Sequence, residues 1–341
     1  MALVKTAAVA INPADAKMID YSAAPGAIHG YDFAGTIVAL RENVRARLAV
    51  GDRVAASATA DLLKIPDSLS FEEAATLGVG MGTVAFGLFH KLHIPVSLEQ
   101  LTKANGDASK GEFVLVAVAG LPQKHARSMN HLCGITGVAK YLSFFQCRVT
   151  TDRGLYTRPF DLALKFGADK VFDYHSTDCA SDIRAYMKGH LAYALDCVSL
   201  ADTTELCYKV IGRAGGRYVS LEPFRAAVTQ TRPTVEPSWL MVLSLFGHEV
   251  ALDGDYRRPA EPEYRQFGAE AFAAVQALLD RGLIDTHPTK IMAGGWDGVI
   301  EGVALIRSQA PSGPRQGDKL LAARQRGLLF YSSLLVVLWY Y

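Results

Sequence analysis

The residues best placed to do chemistry stand at the ends of predicted strands. Leu221-Glu222-Pro223 closes the run Arg217-Tyr-Val-Ser-Leu221, and ligands of doubly wound sheets gather at the carboxyl ends of strands. Tyr174-His-Ser176 follows the short strand Lys170-Val-Phe-Asp173 in the same way. Gly134, Thr136 and Gly137 precede the apolar stretch Val138–Leu142. A glycine turn opening a helix offers backbone N–H groups and a helix N-terminus to a phosphate. Tyr156-Thr157-Arg158-Pro159 supplies one arginine. An arginine without a ribose-binding acid suits a 2′-phosphate. Each residue also has a plainer reading. Arg158 can be an exposed arginine ahead of a helix, Tyr174 a turn aromatic, and two glycines three apart arise often by chance.

A sheet with helices between its strands must position these groups. Asp161–Ser176 reads as one αβ step, with a helix through Lys165, a left-handed cap at Gly167 and a strand over 170–173. Glu112–Val118 is a continuous apolar run, as in a buried parallel strand. Tyr193–Cys197 and Gly216–Leu221 are further strands, with helices over Asp178–Gly189 and Ala201–Val210. The flanking regions differ. Leu3–Ile11, Phe33–Leu40 and Asp52–Ala55 are short strands between Gly and Pro turns. Ser70 stands three residues before Glu73, so a capping box opens a helix there, and the helical run continues through 82–90. Phe267–Leu279 and Asp297–Ile306 are amphipathic helices. The fold class is therefore α/β. A β-rich domain (1–90 and 224–341) is divided by a doubly wound parallel-sheet domain (91–223).

The chain of 341 residues is long enough for two domains with sizeable cores. A net charge of +1 gives no electrostatic case for a nucleic-acid partner. The five cysteines are scattered, with no Cys-x-x-Cys pair. That argues against a structural zinc lobe and for a reducing, cytoplasmic setting. None of the nine histidines stands at ligand spacing with a cysteine; His90 and His93 are three apart with no third ligand nearby. Lys5, Asp15 and Lys17 interrupt the first apolar run, so no secretory signal is expected. Gly327–Tyr341 is an uncharged apolar run of 15 residues, short of the roughly 20 a spanning helix needs. A strand docked in a core, or translated non-coding sequence, is preferred there to a membrane anchor.

Five stretches in chain order carry a resemblance: Asn12-Pro-Ala-Asp-Ala-Lys17, Gly30-Tyr-Asp-Phe-Ala-Gly35, Val50-Gly-Asp-Arg-Val54, Phe71-Glu-Glu-Ala-Ala-Thr-Leu-Gly78 and Gly212-Arg-Ala-Gly-Gly-Arg-Tyr218. Together they resemble the medium-chain dehydrogenase/reductases. Within that superfamily the chain is similar to the zinc-free, trans-acting enoyl reductases of fungal polyketide synthases, across residues 2–116 and 134–313. The resemblance implies a GroES-like domain joined to a Rossmann domain. It implies NADPH (NADP) as cofactor and no metal. The implied partner is a polyketide synthase, or its hybrid with a nonribosomal peptide synthetase, met through a carrier-bound polyketide. No nucleic acid or membrane is involved, and the chain is expected to be a monomer.

The same resemblance assigns site residues. The cofactor would meet Ala14, Asp15, Ala16 and Lys17, then Gly134, Thr136 and Gly137, then Tyr156, Thr157, Arg158 and Pro159, and finally Tyr174, Leu221 and Glu222. The substrate would meet Met81, Gly82, Thr83, Val84, Ala85, Phe86, Gly87 and Leu88, and a second wall of Leu243, Ser244, Leu245, Phe246 and Gly247. Small residues at Gly80, Gly82 and Ala85 leave room for an acyl chain, or equally for close helix packing. Reducing an α,β-unsaturated thioester delivers a hydride to the β-carbon and a proton to the α-carbon through an enolate. No acid–base residue stands out, and the catalytic residues are left unassigned. Two other readings are a quinone oxidoreductase-like enzyme acting on a small enone and an inactive paralogue that docks on the synthase.

The resemblance breaks in four places. The chain starts at what the family has as an internal strand. Val54–Asp61 joins segments the family separates by a Gly-rich loop and a strand. Residues 117–132 separate a strand from the phosphate turn, whereas a βα turn is about 2–6 residues long. After Gly313 an unrelated segment replaces the closing strand. Such breaks predict a destabilised fold, as from an interrupted gene model or a decaying paralogue.

Overall fold

The computed structural model describes residues 2–21, 29–41, 47–57, 61–103, 113–122, 129–137, 164, 168–174, 176–284, 286, 289–309 and 335–338. The strands are β1 (Ala2–Ile11), β2 (Asp32–Leu40), β3 (Arg53–Ser57), β4 (Leu63–Lys64), β5 (Phe113–Pro122), β6 (Met129–Gly137), β7 (Lys170–Asp173), β8 (Tyr193–Asp196), β9 (Gly216–Ser220), β10 (Val235–Trp239), β11 (Lys290–Met292) and β12 (Leu335–Leu338). The helices are α1 (Pro13–Tyr21), α2 (Phe71–Ala75), α3 (Gly78–Ala85), α4 (Leu98–Lys103), α5 (Cys179–Met187), α6 (Ala201–Val210), α7 (Ala226–Thr229), α8 (Pro262–Asp280) and α9 (Trp296–Gln309). They fall into two compact units, one drawn from 1–80, 246–272 and 286–340, the other from 81–245 and 273–285.

The first unit is a six-stranded sheet in the order β11-β12-β1-β2-β3-β4. β1 and β2 pair antiparallel from Ala2↔Leu40 to Ala10↔Asp32. Small side chains at Ala8, Ala10, Ala34 and Ala55 let α2 lie close on the sheet, packing Ala74 and Ala75 against them. The expected capping box fixes where α2 begins. The Ser70 N–H donates to Glu73 Oε2 at 2.9 Å, and the Glu73 N–H donates to Ser70 Oγ at 3.1 Å. Arg53 ties β3 to this entry by donating to the carbonyls of Pro66 (3.3 Å) and Leu69 (2.6 Å) and stacking over Phe71.

The apolar C-terminal run supplies a strand to this sheet. Leu335–Leu338 pairs parallel with Ala8–Ile11 and antiparallel with Lys290–Met292. Leu335–Leu338 thus takes the form of a strand, one of the two readings preferred for the apolar run. The β-branched pair Val336-Val337 suits a strand, and the position between β1 and β11 gives its backbone partners on both sides.

The second unit is a six-stranded sheet in the order β10-β9-β8-β5-β6-β7. β10, β9, β8 and β5 run parallel. The helices α5 and α6 cover one face, burying Cys179, Ile183 and Met187 and Leu206, Cys207 and Val210 over Leu115, Ala117, Ala194 and Tyr218. The Gly215-Gly216 pair is required by close approach. A Cβ on Gly215 would lie 2.1 Å from the Thr234 carbonyl oxygen, and one on Gly216 would lie 2.1 Å from that of Ala192. Gly215 also has φ +89°, where a side chain is strained.

One expectation for this sheet is overturned. Gly134, Thr136 and Gly137 do not form a turn. They lie in β6, which pairs antiparallel with β5 and also with β7. The cause is legible in composition. Met129–Gly137 holds two glycines, which disfavour a helix, and β-branched Ile135 and Thr136, which suit a strand. Two antiparallel steps leave β7 running the same way as β5. The expected helix ending near Lys165, its cap at Gly167, His175 and Val138–Leu142 lie outside the described residues.

Candidate functional site

In the second unit Tyr174, Leu221 and Glu222 stand at the carboxyl ends of β7 and β9, whereas Thr136 and Gly137 in β6 pair with the amino end of β5. Asp196, the last residue of β8, is fully buried and organises the loop that follows. Its Oδ1 accepts from the N–H groups of Val198 (3.0 Å) and Ser199 (2.8 Å). Its Oδ2 accepts from the hydroxyls of Thr203 (2.9 Å) and Tyr218 (2.9 Å). Burial pushes this carboxyl up to about 6 against the pull of those four donors. Burial and the neighbouring Asp196 also push the Tyr218 hydroxyl well up.

Ser199 joins this loop to the next strand. It is held at φ 60°, an uncommon conformation for a residue with a side chain. Its Oγ donates to the Asp196 carbonyl (3.0 Å) and accepts from the Leu221 N–H (3.0 Å). The Ser220 hydroxyl donates to the Glu222 carbonyl at 2.7 Å. Leu221 and Glu222 are thus set at the strand end by β8 as well as β9, and both are half-buried. Tyr174 occupies the turn after β7 at the same edge, its ring against the core of the unit. Asp196, Ser199, Thr203 and Tyr218 were not assigned a role from sequence. A lone carboxylate ending the apolar run Tyr-Ala-Leu was the available signal.

Of the segments expected to meet substrate, Met81–Leu88 is buried throughout. Gly87 is where a Cβ would meet Leu240 at 3.2 Å and Leu195 at 3.5 Å. The helix α3 ends at Ala85, and Phe86–Lys91 winds as a π-helical turn. Val242–Phe246 forms a 3₁₀ turn that buries Ser244 and Leu245, while Leu243 and Phe246 are half-buried. Gly247 follows at φ +71°. Tyr156, Thr157, Arg158 and Pro159 lie outside the described residues.

The first unit holds a buried acidic cluster beside the expected Ala14–Lys17. The Asn12 N–H donates to Asp15 Oδ2 at 2.6 Å, and Asn12 Nδ2 donates to Asp32 Oδ2 at 3.1 Å. The Val79 N–H donates to Asp32 Oδ1 at 2.8 Å, so Asp32 holds the first turn of α3. A Cβ on Gly78 would stand 2.3 Å from Asp32 Oδ1 and 2.5 Å from the Ser57 nitrogen. The motif glycine closing Ala-Ala-Thr-Leu-Gly78 is therefore a matter of space. Burial raises Asp15 to about 7. Asn12 Oδ1 and Asp15 Oδ1 are buried acceptors without a hydrogen-bond partner. Ala16 is buried, Ala14 half-buried and Lys17 exposed. Among the described residues no three His, Cys, Asp or Glu side chains converge as metal ligands would, and no helix is long and apolar enough to cross a membrane.

Comparison with known proteins gives a consistent placement. Residues 1–94 match the family described as alcohol dehydrogenase GroES-like domain, and residues 166–300 match the zinc-binding dehydrogenase family. A trans-enoyl reductase of Aspergillus niger is 52% identical over 337 residues, spanning 92% of this chain and 88% of that protein. Trans-enoyl reductases of Penicillium crustosum and Trichoderma harzianum are each 49% identical, over 92% of this chain and 88% and 87% of theirs. Among solved structures, the CurK enoyl reductase is similar with a TM-score of 0.57 at 16% identity, covering 98% of this chain and 90% of that one. The Escherichia coli quinone oxidoreductase complexed with NADPH has a TM-score of 0.56 at 16% identity, with the same coverage. These two likenesses are of fold.

Proposed function

The chain belongs to the trans-enoyl reductases of the medium-chain dehydrogenase/reductase superfamily, and from that premise we propose that it reduces the α,β-unsaturated thioester of a carrier-bound polyketide, in trans to a polyketide synthase, at the expense of NADPH. The observation that carries this reading is the 52% identity to a trans-enoyl reductase across 92% of the chain.

The described residues fit a dinucleotide in part. Tyr174, Leu221 and Glu222 stand at the carboxyl ends of β7 and β9, where ligands of such sheets bind. Ser199 and Asp196 hold the Leu221 backbone rigidly there. The glycine turn for the pyrophosphate does not fit, because Gly134, Thr136 and Gly137 are paired in β6. When bound, the cofactor supplies the hydride. The chain's own part is to hold the two reactants in place. Apolar residues on Met81–Leu88 and Leu243–Phe246 would line the acyl chain and exclude water, and alignment of two bound reactants is itself a large source of rate.

The β5–β6 hairpin favours a second reading, a paralogue that docks on the synthase without binding the cofactor. Fluorescence titration of the full-length protein with NADPH, and with NADH as control, separates the two. Saturable binding selective for NADPH supports the reductase. Folded protein that binds neither nucleotide supports the docking paralogue.

A further inference from the structure

Asp32 is the first residue of β2, and two helices begin beside it. The residue is 3% exposed and held in register on both sides, opposite Ala10 of β1 and Ser57 of β3. From this fixed place its carboxyl group reaches both helix entries. Oδ2 accepts from Asn12 Nδ2 at 3.1 Å, immediately before α1. Oδ1 accepts from the Val79 N–H at 2.8 Å, in the first turn of α3. We propose that Asp32 is a positioning residue for the reduction: it fixes the start of α1, expected to meet the cofactor, against the start of α3, the helix that carries Met81–Ala85, expected to meet the substrate. This role rests on the reductase reading.

The arrangement is a poor one for α1 taken alone. An asparagine before a helix ordinarily turns its side-chain oxygen to a first-turn N–H. Asn12 instead gives Nδ2 to Asp32, and its Oδ1 is buried without a hydrogen-bond partner. The Asn12 N–H donates to Asp15 Oδ2 at 2.6 Å, and Asp15 Oδ1 is likewise buried and unpaired. Buried acceptors left unpaired lower stability. A local rule broken inside a well-packed sheet is expected where function supplies the compensation.

The chemistry also restricts the residue to aspartate. Two donors approach two different oxygens, and a carboxylate has two acceptor oxygens where an amide has one. In Asp32→Asn, either Asn12 Nδ2 or the Val79 N–H must face an NH₂ group. Glutamate would keep both acceptors but is one methylene longer, and the space is closed: a Cβ on Gly78 would already collide with Asp32 Oδ1. Exchanging the two side chains restores the pattern. In Asn12→Asp combined with Asp32→Asn, the amide at 32 donates to the carboxylate at 12 and its oxygen accepts from the Val79 N–H.

Steady-state kinetics of full-length protein with NADPH and a carrier-bound α,β-unsaturated thioester test this role, with thermal melts giving the folded fraction. Misalignment of two bound reactants lowers kcat, so folded Asp32→Asn should turn over about 100-fold more slowly, with far smaller changes in KM. Asn12→Ala, which leaves the Val79 bond in place, should lose about tenfold in kcat by the same cause. The exchanged double variant should recover most of the loss. A merely structural residue would lower the melting temperature and leave kcat per folded molecule unchanged. Should Asp32→Asn not fold, Asn12→Ala and the double variant decide. An active wild type with kcat unchanged in the folded single variants, or a double variant no better than Asp32→Asn, overturns the inference alone. A folded wild type that does not reduce the thioester overturns the reductase reading and this role with it.

Discussion

The Tyr218 hydroxyl donates a 2.9 Å hydrogen bond to the fully buried carboxylate of Asp196 on the neighbouring strand. Thr204 Oγ1 lies 3.0 Å from the same hydroxyl. This pair locks the ends of β8 and β9 together just below the edge where Leu221 and Glu222 are presented. Their geometry is thus set from inside the sheet and not by the loop alone.

Tyr218→Phe removes one donor and should cost about 1 kcal/mol. Asp196→Ala strands four donors at once and should cost about 3 kcal/mol or more, at a scale that threatens the domain. Urea unfolding of the two variants checks the order. Equal losses would show that Asp196 acts through Tyr218 alone.

The two buried carboxyls give stability a pH slope of definite sign. Asp15 rises from 3.8 to about 7 and Asp196 from 3.8 to about 6, each chiefly through burial. The folded state therefore holds protons that the unfolded state releases. Stability should fall as pH rises from about 4 to 7, and it should be lowest for this contribution above 7. Asp15→Asn, neutral throughout, should flatten the slope by an amount on the order of a few kcal/mol. Thermal melts of both proteins across that range read it directly. A slope unchanged in Asp15→Asn would place the titration elsewhere.

Gly78→Ala should be strongly destabilising although alanine is the better helix former. The added carbon meets Asp32 Oδ1 and the Ser57 backbone nitrogen, neither of which is the end of a flexible chain. Gly87→Ala meets only the tips of Leu240 and Leu195 at 3.2 Å or more, and should cost far less. A Gly78→Ala protein melting with wild type would contradict the close approach.

The local elements were legible because each rests on a short-range cause. The Ser70–Glu73 box, the strand 170–173 and the helices α5, α6, α8 and α9 follow from caps and periodicity read within a few residues. The β5–β6 hairpin was not legible. Whether Gly134–Gly137 turns into a helix or pairs with Phe113–Val116 depends on a partner outside the local sequence window. The role of Leu335–Leu338 likewise depends on β1, at the other end of the chain. Leu221 and Glu222 were legible as the end of a strand, while the buried Asp196 was not picked out, because its partners come from three separate segments.

Deletion of residues 334–341 should destabilise the first unit by removing the strand between β1 and β11. Limited proteolysis should then cut within residues 1–80. Unchanged protection would mean that the strand adds nothing to the sheet.

The most direct test of the reductase account is mass analysis of a carrier-bound α,β-unsaturated thioester incubated with the folded protein and NADPH. The account predicts a saturated product that has gained one hydride and one proton, formed with NADPH and not without it. A substrate recovered unchanged, from protein that is folded and saturated with NADPH, would contradict it.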